Sequence, residues 1–289
     1  MASPLRRIAI ATLILMTCLA SSARALRGGG WDSESRYPAV LALRAGNTVL
    51  CSAVKIASQT LLTAAHCVLD ARTGERRSAF RPGGTVAISN AYRQDGSTAA
   101  IVAVVADVLF PKAYEEGLIR FAEYRRRRLA ELRAMPSHLL DRTLDEGLRI
   151  RHHFAERYPD IALIRLQTTT PMIPSMSVAF NPLHAGADVE LVGFGCASLH
   201  VPGSLARSVG RRFGRSRVIR VDAVNFYTEA SQASSEAPSL CPGDSGGPVV
   251  HQGHVVGVHT VVYGQDRRHG ARSNMAVNLS TLSNWAAWP

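Results

Sequence analysis

From Tyr37 onward the chain is a succession of short runs rich in Val, Ile and Leu, parted by Gly, Pro, Asn and Asp. The runs are Pro38–Leu43, Thr60–Thr63, Thr85–Ser89, Ala99–Leu109, Ile161–Leu166, Val189–Gly193, Pro248–Val250 and Val255–Val262. Runs this short, bounded by turn residues, read as strands. No helical pattern alternates with them, so a parallel α/β sheet is excluded and an all-β barrel or sandwich is expected. With 46% hydrophobic and 19% charged residues among 289, the chain can bury a sizeable core and is not of disordered composition.

Two stretches break the β rhythm. Ala113 to Met135 is built of helix formers, with acids early and arginines late, as a helix dipole prefers. Leu118, Phe121, Ala122, Leu129 and Leu132 recur near one face, and Pro136 ends the segment. A weaker helical piece is expected over Ser137–Phe154, so that 113–154 forms a helical insertion, and a last helix is expected over Ser280–Trp288. Within the insertion, Arg125, Arg126, Arg127 and Arg128 form a dense positive strip. It is either a solvated helix face or a surface for an anionic partner. The neighbouring His152 and His153 lack further ligands of metal-site spacing.

Arg6 and Arg7 precede the apolar run Ile8–Ala20, and the small-residue exit Ala23-Arg24-Ala25 follows. That is the layout of a secretory signal peptide over residues 1–25, and the run is short for a membrane span. Cleavage after Ala25 removes Arg6, Arg7 and Arg24 and no acid, so a chain of formal charge +11 stays basic afterwards. A secreted or periplasmic location without a membrane span is expected. Of the five cysteines, Cys18 lies in the signal peptide; Cys51, Cys67, Cys196 and Cys241 remain, and an oxidising compartment favours pairing them.

The residues that carry chemistry stand apart from this frame. In Cys241-Pro-Gly-Asp-Ser-Gly-Gly-Pro248, glycines flank a serine. They allow a tight turn that exposes Ser245 Oγ and aims the amides of Gly243 and Ser245 at one point, as a developing oxyanion requires. A serine hydroxyl needs a base, and Thr63-Ala-Ala-His-Cys67 offers His66 at the end of an apolar strand. The base in turn needs a buried carboxylate to set its tautomer, and Asp160 opens the apolar run Ile161–Leu166.

With TAAHC, DIALIRL and GDSGGP in that order, the chain resembles the chymotrypsin-like serine proteases from about Leu26 to its C-terminus, the helical insertion apart. The resemblance implies two antiparallel six-stranded β-barrels with a cleft between them. It implies Ser245 as nucleophile, His66 as base and then acid, Asp160 as its orienting carboxylate, and Gly243 and Ser245 amides as the oxyanion hole. It also implies a Cys51–Cys67 disulfide beside the histidine. Cys241 matches a half-cystine of the family whose usual partner is missing downstream. Pairing it with Cys196, as in some bacterial members, implies a bacterial-type secreted protease.

The resemblance further implies an activation device, in which a freed N-terminus at Leu26 pairs its ammonium with Asp244. It sets the primary substrate pocket at Ser239, Leu240, His259, Thr260 and Val262. Ser239 stands where members that cut after Lys or Arg carry Asp, so a tryptic preference is not expected. His259 matches a pocket histidine of glutamate-specific members, and either an acidic or an apolar preference follows. Thr260 replaces a serine that supports the catalytic carboxylate. The implied protein is a monomer acting on protein or peptide substrates, with no cofactor, metal or nucleic acid. A binding protein that keeps the triad without a working pocket is the alternative.

Overall fold

The structure is a computed structural model that describes residue 26 and residues 29–45, 48–90, 100–135, 148–150, 152–195, 210–230, 237–263 and 272–289. The expected signal peptide, Arg27, Gly28 and Cys196 lie outside the described residues.

The first barrel is closed by six antiparallel strands in the order β2-β3-β4-β7-β6-β5. They are β2 (Val40–Ala45), β3 (Thr48–Ala57), β4 (Thr60–Thr63), β5 (Thr85–Ser89), β6 (Ile101–Leu109) and β7 (Ala162–Leu166). Its core cluster buries Leu41, Leu43, Leu61, Leu62, Ile88, Val105 and Ile164. The second barrel comprises β8 (Asp188–Gly193), β9 (Arg212–Val221), β10 (Asn225–Ala230), β11 (Pro248–His251), β12 (His254–Tyr263) and β13 (Arg272–Asn278). The order β9-β10-β13-β12-β11-β8 closes through β8 pairing with β9, and the two-residue β1 (Gly30–Trp31) adds to the edge of β9. Two closed six-stranded barrels are therefore present, as the family resemblance implies.

The barrels are tied together by buried polar groups. Arg211 and Asp32, both fully buried, form an ion pair at 2.5 Å, and Arg211 also donates to Asn90 O at 3.1 Å. Buried charges persist only when paired and hydrogen-bonded. Here the pair joins the N-terminal segment of the chain to one end of β9 and to the first barrel. Ser52 on β3 makes the second tie: its N–H donates to Ser245 O (2.8 Å) and its hydroxyl to Gly243 O (2.8 Å), while Phe194 N–H donates to that hydroxyl.

The insertion is helical, as its pattern predicts: α2 runs Lys112–Arg133 and α3 runs His152–Arg157, with α1 (Ala65–Val68) the short turn that carries His66. The α2 side chains Tyr114 and Leu132 are buried, and Tyr114 meets Phe154 edge to face at 5.1 Å. Gly117 admits the Tyr158 ring, whose carbons lie 2.8 Å from where a Cβ would sit. Most of the expected piece over Ser137–Phe154 lies outside the described residues. At the C-terminus the helix expected over Ser280–Trp288 contracts to a single 3-10 turn, Leu279–Leu282. Beyond it Trp285 and Trp288 pack edge to face at 5.2 Å, and Trp288 also packs on Phe180. Burial of those rings replaces helix propensity there.

Candidate active site

His66 and Asp160 meet because β4 and β7 are antiparallel neighbours with Thr63 opposite Ala162. His66 follows the end of β4 and Asp160 precedes the start of β7, so the register alone sets them at the same rim. The Asp160 carboxylate grips the histidine twice: Oδ1 accepts from the His66 backbone N–H (2.9 Å) and Oδ2 lies 2.6 Å from Nδ1. The Asp160 side chain is 6% exposed and the His66 ring 35%. That bond fixes the proton on Nδ1 and leaves Nε2 as the acceptor facing the cleft. Burial opposes the charged ring, but the Asp160 carboxylate outweighs it and holds the His66 pKa above its ordinary value; Arg77 pulls weakly the other way. The Cys51–Cys67 disulfide closes the loop next to the histidine. A bridge across so short a loop is worth about 3 kcal/mol.

Ser245 lines the same cleft as His66 and Asp160. Its Oγ donates to Thr260 O (3.2 Å), and among the described residues no hydrogen bond joins it to His66. Catalytic hydrogen bonds of unliganded sites are often long and tighten once substrate arrives. Gly243 has φ +102°, a torsion that side chains disfavour. Among the described residues, the N–H groups of Gly243 and Ser245 donate to no other group of the protein, whereas the neighbouring Asp244, Gly246 and Gly247 amides are all engaged. Two adjacent unspent donors beside a serine are what an oxyanion would use.

Beneath this turn Asp244 is fully buried. Its Oδ1 accepts from Gly195 N–H (2.7 Å) and its Oδ2 from Cys241 N–H (2.9 Å). A Cβ on Gly195 would lie 2.3 Å from that carboxyl, which explains the glycine there. Burial pushes the Asp244 pKa up to about 7, with the two N–H donors and Arg212 pulling back. Leu26 is also fully buried and joins the second-barrel core with Leu240. The chain continues upstream of it, so its nitrogen is an amide and no ammonium reaches Asp244 here.

The expected pocket residues are mostly enclosed. Ser239, Leu240, His259 and Thr260 are all buried, and of these only Thr260 lines the described cleft; the Val262 side chain lies outside the described residues. The Thr260 hydroxyl donates to Met275 O (3.2 Å), so it does not support Asp160 in the way its alignment with the family's serine implied. Burial lowers the His259 pKa to about 3, with the Pro248 carbonyl pulling weakly the other way. The imidazole is thus neutral.

Two functional groups escaped the sequence reading. Ser52 clamps the Gly243–Ser245 turn from the opposite barrel, and a lone serine in a strand gives no signal of that. Asn274 on β13 accepts from Leu240 N–H (2.9 Å) and donates to Thr228 Oγ1, Glu229 O and Pro238 O, which pins the segment around Ser239. An amide in a run of strand residues was the available clue. Cys241 is disulfide-bonded, while its expected partner Cys196 lies outside the described residues. The arginine strip does not form one surface. Successive helical residues are turned by about 100°. Arg126 and Arg127 accordingly face solvent, while Arg125 and Arg128 are half-buried, the latter bonded to Glu131 at 2.6 Å.

Comparison with known proteins agrees with this geometry. The trypsin family model matches residues 28–112 and 146–286, and the chain belongs to that family. Serine protease SP24D of Anopheles gambiae is 24% identical over 240 residues, covering 80% of this chain and 69% of its own. Among solved structures, human heparin binding protein superposes with a TM-score of 0.58 at 17% identity, covering 89% of this chain and 93% of its own. Neuropsin, a serine protease from mouse brain, does so at 0.57 and 15%, covering 89% and 96%. These relatives are animal proteins and give the expected bacterial-type affiliation no support.

Proposed function

We propose that the protein is a secreted serine endopeptidase that cuts peptide bonds through an acyl-enzyme. The observation that carries this reading is the double grip of Asp160 on His66 at a cleft where Ser245 sits beside two unspent backbone donors. Ser245 Oγ attacks the scissile carbonyl while its proton passes to His66 Nε2. The oxyanion is held by the Gly243 and Ser245 amides. His66 then gives the proton to the leaving amine, and a water repeats the cycle to free the acid. Asp160 holds the ring against the weaker opposing pull of Arg77. The acyl-enzyme mechanism needs no metal or cofactor.

Residues 1–25 act as an export signal whose removal exposes Leu26. In the uncut chain Leu26 is held at φ +38°, a torsion strained for a side-chain-bearing residue. A cut just before it abolishes that torsion and creates an ammonium in the second-barrel core, available to the buried Asp244 carboxyl. The primary pocket favours an apolar side chain, because the neutral, buried His259 offers a carboxylate no charge and Leu240 is apolar. Cys196 bonds Cys241. A non-catalytic binding role draws on the Ser245–Thr260 hydrogen bond and on the likeness to human heparin binding protein. Of the arginine strip, only Arg126 and Arg127 would face an anionic partner.

A peptide library varied at the residue donating the scissile carbonyl, with Ser245→Ala beside it, decides between them. Cleavage after apolar residues, absent from the variant, is expected. A mature protein that cleaves nothing would favour the binding role.

A further inference from the structure

The two amides left unspent at the nucleophile turn among the described residues, those of Gly243 and Ser245, flank a single peptide group. That group is the C=O of Gly243 with the N–H of Asp244. We propose that the Ser52 hydroxyl, reaching over from the first barrel, is a positioning group that sets this peptide plane and so aims both amides at one oxyanion. The inference rests on the protease reading above.

The middle peptide is held at both ends. Its N–H donates to Cys241 O (2.9 Å), within the turn itself, and its C=O accepts from Ser52 Oγ (2.8 Å). A peptide group is a rigid plane, so two such bonds fix its tilt and with it the angle between the amides on either side. Local sterics do not do this. Gly243, at φ +102°, has no Cβ to limit rotation of the plane that follows it. The next carbonyl, Asp244 O, accepts from Gly247 N–H (3.0 Å), and Ser245 O accepts from Ser52 N–H (2.8 Å). Ser52 thus grips alternate carbonyls of the turn, one with its backbone and one with its side chain.

The direction of the hydroxyl is settled by its surroundings. Ser52 is fully buried, and its Oγ accepts from Phe194 N–H (2.9 Å), so its one proton goes to Gly243 O. The following amide, Gly195 N–H, goes to Asp244 Oδ1 (2.7 Å), so one short segment steadies both the hydroxyl and the carboxyl under the turn. Ser52 itself is firmly placed. Its carbonyl accepts from Thr63 Oγ1 (2.8 Å), and the preceding Cys51 is bridged to Cys67, the neighbour of His66. The turn is seated directly on it: a Cβ on Gly247 would lie 3.1 Å from Ser52 Cβ, and one on Gly246 2.3 Å from Ser52 O. A plain tie between the barrels would survive with any side chain at position 52, through the backbone N–H. Only the hydroxyl reaches the peptide between the two donors.

The test uses protein beginning at Leu26, a peptide substrate with an apolar residue before the scissile bond, and the matching peptide aldehyde. The adduct of that aldehyde with Ser245 places an oxygen where the oxyanion forms. Ser52→Ala should lower kcat about tenfold or more, part of what loss of a whole donor costs, and raise the aldehyde Ki by the same factor, with KM within about twofold. Ser52→Thr and Ser52→Val differ chiefly in the hydroxyl, and the Thr variant should bind the aldehyde about tenfold more tightly than the Val variant. Ki and KM do not depend on the amount of folded enzyme, and the Thr–Val pair decides alone if Ser52→Ala does not fold. A lowered melting temperature with kcat and aldehyde Ki unchanged, or a rise in Ki matched by the same rise in KM, makes Ser52 a structural tie only and overturns the proposal while leaving the protease reading intact. A parent protein that cleaves nothing and does not bind the aldehyde overturns both.

Discussion

The two barrels hold their share of the site in different ways. The first barrel delivers His66 and Asp160 from adjacent strand ends, and their hydrogen bonds are complete within the barrel itself. The second delivers Ser245 and the Gly243 and Ser245 amides from a turn that rests on Asp244, a carboxyl whose burial raises its pKa to about 7 against the pull of two N–H donors and Arg212. One half is finished by folding; in the proposed activation the other awaits an event at Leu26. The difference teaches that register can set a dyad, whereas a turn of strained glycines needs an outside partner.

That contrast can be broken at several points. The largest effect is expected from Asp160→Asn, which keeps the shape but reverses the tautomer of His66. Measured kcat should fall about 10⁴-fold. Next comes the N-terminus. A chain kept uncut upstream of Leu26 should lose about 10²–10³ in kcat relative to one beginning at Leu26, the cost typical of a lost oxyanion donor. The melting temperatures of the two should also diverge with pH. A raised carboxyl pKa destabilises the uncut chain as pH climbs from the ordinary carboxyl value of about 4 to about 7, and an ammonium on Leu26 removes that loss, so the gap opens across that range and closes below it. Equal activity and parallel pH curves would put the two barrels on the same footing.

Smaller effects sharpen the comparison. Asn274→Ala should cost about 1–3 kcal/mol in thermal unfolding, because Leu240 N–H and Pro238 O lose their partner in a buried place. It should raise KM more than it lowers kcat. Last, the acid limb of kcat/KM should lie above pH 6.5, since the raised His66 pKa must be exceeded for the ring to act as base. A limb at or below that value would mean that Asp160 does not govern the ring.

Legibility in the sequence followed the same divide. Thr60–Thr63 and Thr85–Ser89 coincide with β4 and β5, since dense β-branched and leucine runs bury on both sides. Strands β3, β9, β10 and β13 were missed. In β9 the exposed positions are Arg215, Arg217, Ile219 and Arg220, three of them charged, so it shows no continuous apolar run, and β13 carries a buried Asn274 in place of an aliphatic residue. The three residues of the proposed triad stood out because each sits in a distinctive local run. Ser52, Tyr114 and Arg77 reach the site only through barrel closure and the fold of the insertion, which no local pattern encodes. The arginine strip misled in the opposite direction, since adjacency in sequence is dispersal on a helix.

The most direct test of the central claim is titration of protein beginning at Leu26 with a fluorophosphonate probe, beside Ser245→Ala. The account predicts labelling of one site per molecule in the parent protein, lost in the variant and slowed as His66 becomes protonated. Absence of labelling in the folded parent, or labelling that persists in the variant, would contradict it.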